Sequence, residues 1–509
     1  MGNQNKINAQ KSLENSRVGS LRQRTLHGIG WSGLSQVLRQ GLQVGVSVVL
    51  ARLLTPSDFG ALAMVLVFTG FAASFSDLGL GAALIQKQDA GPRHAATVFC
   101  LQMIVGITLA LLLMVTAPLI AGFYKNPRLV RLCLGIAPTF ILTAFLGVPM
   151  ALLQKAMAFR KIAMIETVAV FGSGTVAILL ALNGWGIWSL VVQSLLTALL
   201  IAVLSWRLSR WRPQFAFNLS AWRELRRFSS ALTGFNLLNY WIRNLDNLVI
   251  GKFIGPVALG IYSRAYHLML YPISQVSGMV SRVMFSAMAS IQDQTERLRA
   301  IYLRAARLIA LVTFPLMTGM AVLADLFIVT VFGSPWQDAA GILRILAMVG
   351  LLQSVGTTLG WIYTARGRTD IMLRFGAVAG IVYAAAFLIG LRWGAKGVAA
   401  AYAASGFLLL WYPSWRIAGR IIGLTFSRMV SNLAGIFACS AGMGLAVLAL
   451  QQFVFTLPGW ASLLALVGAG ITVYLLLIHS FNLLAYRDLR QLLHEQWQAR
   501  RRSERNVTP

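Results

Sequence analysis

The chain has 509 residues, of which 57% are hydrophobic and only 12% charged, whereas soluble domains carry roughly a quarter charged residues. A mean hydropathy of +0.71 and repeated apolar runs of about 20 residues, the length that crosses a bilayer core, exclude a soluble domain. The net charge of +29 leaves two readings: nucleic-acid binding, or basic cytoplasmic loops of a polytopic membrane protein.

The first 28 residues form a polar, basic tail without the apolar core of a signal peptide. Fourteen apolar helical spans then follow, at about 30–54, 58–84, 95–123, 129–153, 162–182, 185–205, 230–254, 257–288, 300–332, 337–363, 371–391, 395–415, 429–450 and 458–484. They divide the chain into a first lobe over 29–205, a basic linker over 206–228, a second lobe over 229–418, two further helices over 419–485 and a basic tail over 486–509. With the N-terminus inside, the inner loops collect Lys87 and Arg93, then Lys155, Arg160 and Lys161, then the linker arginines. Outer loops near Gly184, Gly333 and Pro458 carry neither Lys nor Arg. Lys125, Arg128 and Arg131, and Arg392 with Lys396, are exceptions. The alternation still accounts for the charge without nucleic acid and places both termini in the cytoplasm. In the linker, Trp222, Leu225 and Phe228 lie at helical spacing beside Arg223, Arg226 and Arg227. That pattern fits an amphipathic helix at the inner interface or a solvated basic linker. Cys100, Cys133 and Cys439 lie in apolar runs with no metal spacing or disulfide framework.

An internal repeat appears at an offset of 200, where VVLARLLTPSDFGALA (48–63) lies over LVIGKFIGPVALGIYS (248–263). Pro56 meets Pro256, Gly60 meets Gly260 and Arg52 meets Lys252. Proline suits the first turn of a helix, where its missing N–H is not needed. Six spans separate the copies, so both halves enter from the same side. In repeat-built transporters substrate sites lie between such halves.

The first span carries Ser32, Gln36, Arg39, Gln40, Gln43 and Ser47 on one helix face. The seventh carries Thr233, Asn236, Asn239, Tyr240, Arg243 and Asn247 in nearly the same register, with Asp246 beside them. A charge at mid-bilayer costs roughly 2.5–3.5 kcal/mol on insertion scales, so these faces must meet protein or water. Two readings stay open for Arg243 and Asp246, which sit three residues apart: mutual neutralisation, or a functional role. Gln36, Gln40 and Asn236 fit either helix–helix hydrogen bonding or a cavity wall. Arg39 has no acidic neighbour within a turn, which favours the cavity. The eighth span adds Arg264 and His267, the histidine serving in packing or as a proton relay, and the second span adds Asp77 in SFSDLGLG.

No metal spacing, nucleophile elbow or phosphate-cradling loop occurs in the sequence. The reading is therefore a transporter without a cofactor rather than an enzyme, driven by a partner or an ion gradient.

ARLLTPSDFGALAMV, FSDLGLGAALIQ and DNLVIGKFIGPVALGIYSRAY resemble the polysaccharide transporter branch of the multidrug/oligosaccharidyl-lipid/polysaccharide exporter superfamily. Within it the resemblance is to Wzx-type flippases of the colanic-acid and teichuronic-acid exporter kind. It implies an all-α membrane protein of fourteen helices, two six-helix lobes around a cavity plus two C-terminal helices. It further implies flipping of undecaprenyl-diphosphate-linked oligosaccharide across the bacterial inner membrane, for exopolysaccharide or lipopolysaccharide biosynthesis. Arg39, Arg243 and Arg264 would then face the diphosphate, and Gln36, Gln40, Gln43, Asn236, Asn239 and Tyr240 the sugar hydroxyls. Coupling to H+ or Na+ is common in the superfamily, with Asp246, Asp77 and His267 as candidate ion groups. A monomer is expected to suffice, alongside partners in polymerisation and export.

Three rival functions remain, one of them a scaffold without transport, which leaves the paired polar faces unexplained. A multidrug antiporter of the same fold would favour an acidic cavity. A membrane glycosyltransferase or polymerase would need a sizeable outer catalytic loop, and the expected outer loops are short.

Overall fold

The computed structural model describes residue 36 and residues 38–76, 79–87, 89–212, 216–289, 294–453, 458–488, 490, 491 and 494. For 76, 225–239, 242, 279, 281–283, 285–287 and 289 it describes the backbone alone. Among the described residues there are helices and no strands. This is the economy a bilayer imposes, because an α-helix satisfies its own backbone hydrogen bonds.

The first helices are α1 (38–53), α2 (Pro56–Ser76), α3 (Leu80–Gln86), α4 (Pro92–Tyr124), α5 (Arg128–Ile136), α6 (Pro138–Lys155), α7 (Phe159–Leu182) and α8 (Trp188–Ser209). Next come α9 (Leu219–Phe253), α10 (Pro256–Ala289), α11 (Thr295–Val322), α12 (Ala324–Phe332), α13 (Asp338–Gly356) and α14 (Leu359–Ala365). The last are α15 (Thr369–Gly390), α16 (Gly394–Ala404), α17 (Trp411–Ile421), α18 (Phe426–Gln451) and α19 (Gly459–Ser480). Ten helical stretches among the described residues are long and apolar enough to cross a membrane. The longest, Thr369–Ile421, contains a hairpin at Leu391–Trp393, where α15 packs back on α16. The approach there is so close that a Cβ on Gly390 would lie 2.6 Å from the Gly397 carbonyl oxygen.

Several expected spans are each built from two helices. The 58–84 span divides into α2 and α3, with Gly79 between them at φ +66°, a left-handed conformation that glycine adopts without a Cβ penalty. The 129–153 span divides into α5 and α6, with Pro138 at the first position of the second piece. The expected linker 206–228 differs more: α9 starts inside it, at Leu219, and continues unbroken for 35 residues.

The repeat is visible in local geometry. Before Pro56, the Leu54 N–H donates to the Leu50 carbonyl at 2.9 Å; before Pro256, Ile254 donates to Ile250 at the same distance. In the first copy Thr55 and Asp58 cap each other, the Thr55 hydroxyl donating to Asp58 Oδ2 at 2.7 Å. The second copy has Ala258 in place of Asp58, and Gly255 makes the turn at φ +114°. The same offset recurs where α6 begins at Pro138 and α13 at Asp338.

The chain falls into two compact units, Met1–Asn244 and Leu245–Pro509, with the boundary inside α9. In the first, Leu50 of α1 and Leu54 just after it pack with Ala177 and Ala181 of α7 and Leu190 of α8. A second cluster joins Leu80 and Leu84 of α3 to Phe99 of α4 and Val148 of α6. In the second unit, a charged clamp holds the segment after α19 against α11 and α18. Arg307 donates to Asp488 Oδ2 from Nε at 3.0 Å and Nη2 at 2.7 Å, and to Asn432 Oδ1 at 2.6 Å.

Candidate functional site

The polar face of α1 carries an ion pair. Arg39 Nη1 lies 3.2 Å from Glu166 Oε2 on α7, and Arg39 Nη2 donates to Gln36 Oε1 at 2.7 Å. Arg39 therefore has no acidic neighbour within its own turn but has one on the helix it packs against. Reading neighbours along the chain missed it. The available signal was Glu166 itself, the single acidic residue in the apolar span 162–182. The helices approach closely beyond the pair, since a Cβ on Gly174 of α7 would lie 2.5 Å from a Val46 methyl of α1. Gln40 is half-buried and Gln43 exposed.

On α9, Tyr240 docks against α2. Its hydroxyl donates to the Val67 carbonyl at 2.7 Å and reaches the Leu66 carbonyl at 3.2 Å. That hydroxyl is thus engaged with α2 backbone, which differs from the expected role toward sugar. Trp241 packs beside it on Phe71, ring centroids 4.8 Å apart. Gly70 makes room: an alanine methyl there would sit 2.5 Å from the Tyr240 hydroxyl oxygen and 3.0 Å from its ring. Gly70→Ala is expected to destabilise the protein by about 1–3 kcal/mol, the usual cost of overpacking. The loss should shrink in a Tyr240→Phe background, where the nearest clashing atom is gone. Melting temperatures of the purified variants check this, and an equal loss in both backgrounds would refute it.

Arg243 and Asp246 are not an ion pair. Asp246 is 3% exposed and turns toward α10, where its Oδ2 accepts from the Tyr262 hydroxyl at 2.9 Å. Its Oδ1 accepts from the Asn247 N–H at 2.8 Å. Tyr262 is fully buried and stacks on Tyr266 with centroids 6.2 Å apart. Local neutralisation is therefore corrected: the carboxylate takes an uncharged donor from the next helix. Arg243 is exposed, with no ion-pair partner among the described residues. Arg264 is half-buried, its guanidinium carbon 5.7 Å from the ring centroid of the buried Trp336, a cation–π distance. His267 is exposed. Asn236 and Asn239 lie on the α9 backbone, with side chains outside the described residues, as is all of Asp77.

A further charged cluster went unread in the sequence, because Glu224 sits among the basic residues of the linker. At the start of α9, Glu224 Oε2 lies 2.7 Å from Lys87 Nζ and 3.1 Å from His94 Nε2, and Oε1 lies 3.9 Å from Arg93. Hydrogen bonds from Lys87 and then His94 hold the Glu224 carboxyl down at about 2, against an ordinary value of 4.5. A lowered carboxylate value stabilises the folded state above the unfolded value and loses that effect as pH falls. The contribution is thus fully present above about pH 4.5 and lost toward pH 2.

Ten apolar helical stretches of membrane length among the described residues define a multi-pass membrane protein. The chain belongs to the polysaccharide biosynthesis protein family, whose model matches residues 49–341. It is 31% identical over 397 residues to the lipopolysaccharide biosynthesis protein WzxC of Escherichia coli strain K12, covering 77% of this chain and 79% of the relative. It is 30% identical over 465 residues to the teichuronic acid biosynthesis protein TuaB of Bacillus subtilis strain 168, covering 90% of this chain and 96% of the relative. Its fold is similar to that of the lipid II flippase MurJ in an inward closed conformation, with a TM-score of 0.69 at 15% identity. That likeness covers 90% of this chain and 99% of the other. The fold is that of the multidrug/oligosaccharidyl-lipid/polysaccharide exporters.

Proposed function

We propose that the protein flips undecaprenyl-diphosphate-linked oligosaccharide repeat units from the inner to the outer leaflet of the bacterial inner membrane. The observation that carries this reading is Arg243, an exposed guanidinium on the 35-residue helix α9, within the span expected over 230–254, with no ion-pair partner among the described residues. A cation so placed calls for water or an anion, and guanidinium suits phosphate through forked, charge-assisted hydrogen bonds. Whole-length likeness to polysaccharide biosynthesis proteins supports a saccharide carrier. The sequestered Asp246 and the exposed Arg243 argue against a cavity for cationic drugs.

In this reading fourteen helices form two six-helix lobes and a C-terminal pair, with both termini cytoplasmic. The lobes alternate access to a basic cavity while the polyprenyl tail stays in lipid. Arg264 and the amides assist Arg243, and Asp246, Asp77 or His267 couples the cycle to H+ or Na+.

Deletion of the gene followed by lipid analysis tests the function. Complete lipid-linked repeat units should accumulate on the inner leaflet. Incomplete units would indicate a glycosyltransferase, and normal export would reject the flippase. At matched membrane levels, Arg243→Ala should lose export and Arg243→Lys should retain only part of it, since Lys keeps the charge without the fork. Normal export by both variants would make Arg243 structural.

A further inference from the structure

The Glu224 cluster belongs to a larger attachment. Asn218 caps α9, its side-chain oxygen accepting from the Ala221 N–H at 3.0 Å, and its own N–H donates to Thr97 of α4 at 3.1 Å. Trp222 packs on the core formed by Leu80, Leu84 and Phe99. The turn between α3 and α4 is itself braced, because Lys155 of α6 donates to the Lys87 carbonyl at 2.7 Å. His94 is 1% exposed, and its Nδ1 accepts from the Gly91 N–H at 3.2 Å. Nδ1 being the acceptor, Nε2 carries the proton and points it at Glu224. The neutral imidazole therefore suffices for the contact.

One unbroken helix carries this attachment and the Tyr240 dock on α2. The two points are sixteen residues apart, about 24 Å at 1.5 Å per residue. On the other side, Val67 on α2 and Lys87 after α3 flank the helix break at Gly79. Helix α9 thus bridges the break as a strut fixed at both ends. The α2–α3 span cannot change its angle at Gly79 while both fixings hold.

We infer that the contact of Glu224 with Lys87 and His94 is an inner latch, and that its release is an obligatory step each time the exporter opens inward. Glu224 and His94 are positioning residues: they set the angle of the α2–α3 span and touch no substrate. The inference rests on the flippase reading.

The test places cysteines at Lys87 and Glu224 in a chain whose Cys100, Cys133 and Cys439 are serine, and joins them with a short, reductant-cleavable bifunctional thiol reagent. Cross-linking should abolish export, reductant should restore it to the level before cross-linking, and each single cysteine should export equally with and without the reagent. Continued export by fully cross-linked protein overturns the latch. A second readout is independent of transport. Glu224→Ala should raise hydrogen exchange at amides 218–224 of the purified protein, and unchanged exchange there overturns the latch. Should the uncross-linked parent export no polysaccharide, the flippase reading fails and the exchange result alone decides the latch.

Discussion

Tyr262→Phe is expected to destabilise the protein by about 1.5–3 kcal/mol, the range for a hydrogen bond to a charged group, seen as a lower melting temperature. The size follows from burial. Asp246 is 3% exposed and Tyr262 fully buried, so no water replaces the lost hydroxyl. The Asn247 N–H would remain, on the other carboxylate oxygen. Asp246→Asn keeps an acceptor for Tyr262 while removing the charge, so it should cost less. The double variant should cost less than the sum of the singles, because both remove parts of one contact. Strict additivity would show that the two side chains do not share it. Under the proposed coupling role the two singles also part in function. Asp246→Asn should lose export at matched membrane levels, whereas Tyr262→Phe should keep export in proportion to the folded protein present. Normal export by Asp246→Asn would remove Asp246 from the coupling groups.

The helical architecture was legible because bilayer-length apolar runs and first-turn prolines are local signals. Pro56 and Pro256 open α2 and α10 two hundred residues apart, as their alignment implied. The breaks inside spans were harder to see. Gly79 and Pro138 mark two of them, yet in apolar sequence a helix end differs little from a helix interior. Side-chain partners were the least legible part. Arg39 and Glu166, Asp246 and Tyr262, and Lys87 and Glu224 each join two helices, and helical periodicity reports only which residues share a face. The polar faces of α1 and α9 could therefore be drawn from spacing, while the partner of each charge could not. Glu224 shows the opposite hazard: a linker rich in arginine hid the one carboxylate that fastens it.

Arg39→Gln should lower stability by about 1–3 kcal/mol, between the small worth of an exposed ion pair and the larger cost of breaking a buried one. The side chains of Arg39 and Glu166 are 25% and 31% exposed, which sets the pair between those limits. The substitution strands Glu166 in an apolar span with its cation gone. Glu166→Gln strands Arg39 less, because Gln36 Oε1 still accepts from its Nη2. The double variant Arg39→Gln/Glu166→Gln replaces the ion pair with two amides that can bond each other across α1 and α7. Its melting temperature should return close to that of the parent. Export by this variant then separates two roles that either single change would confound. Restored export assigns Arg39 to the joining of α1 and α7, and a persistent loss in a stable protein assigns it to the substrate. We expect restoration, because the guanidinium already spends Nη1 on Glu166 and Nη2 on Gln36. Arg243, exposed and outside any described ion pair, then remains with Arg264 as the cation that the proposed function assigns to the diphosphate.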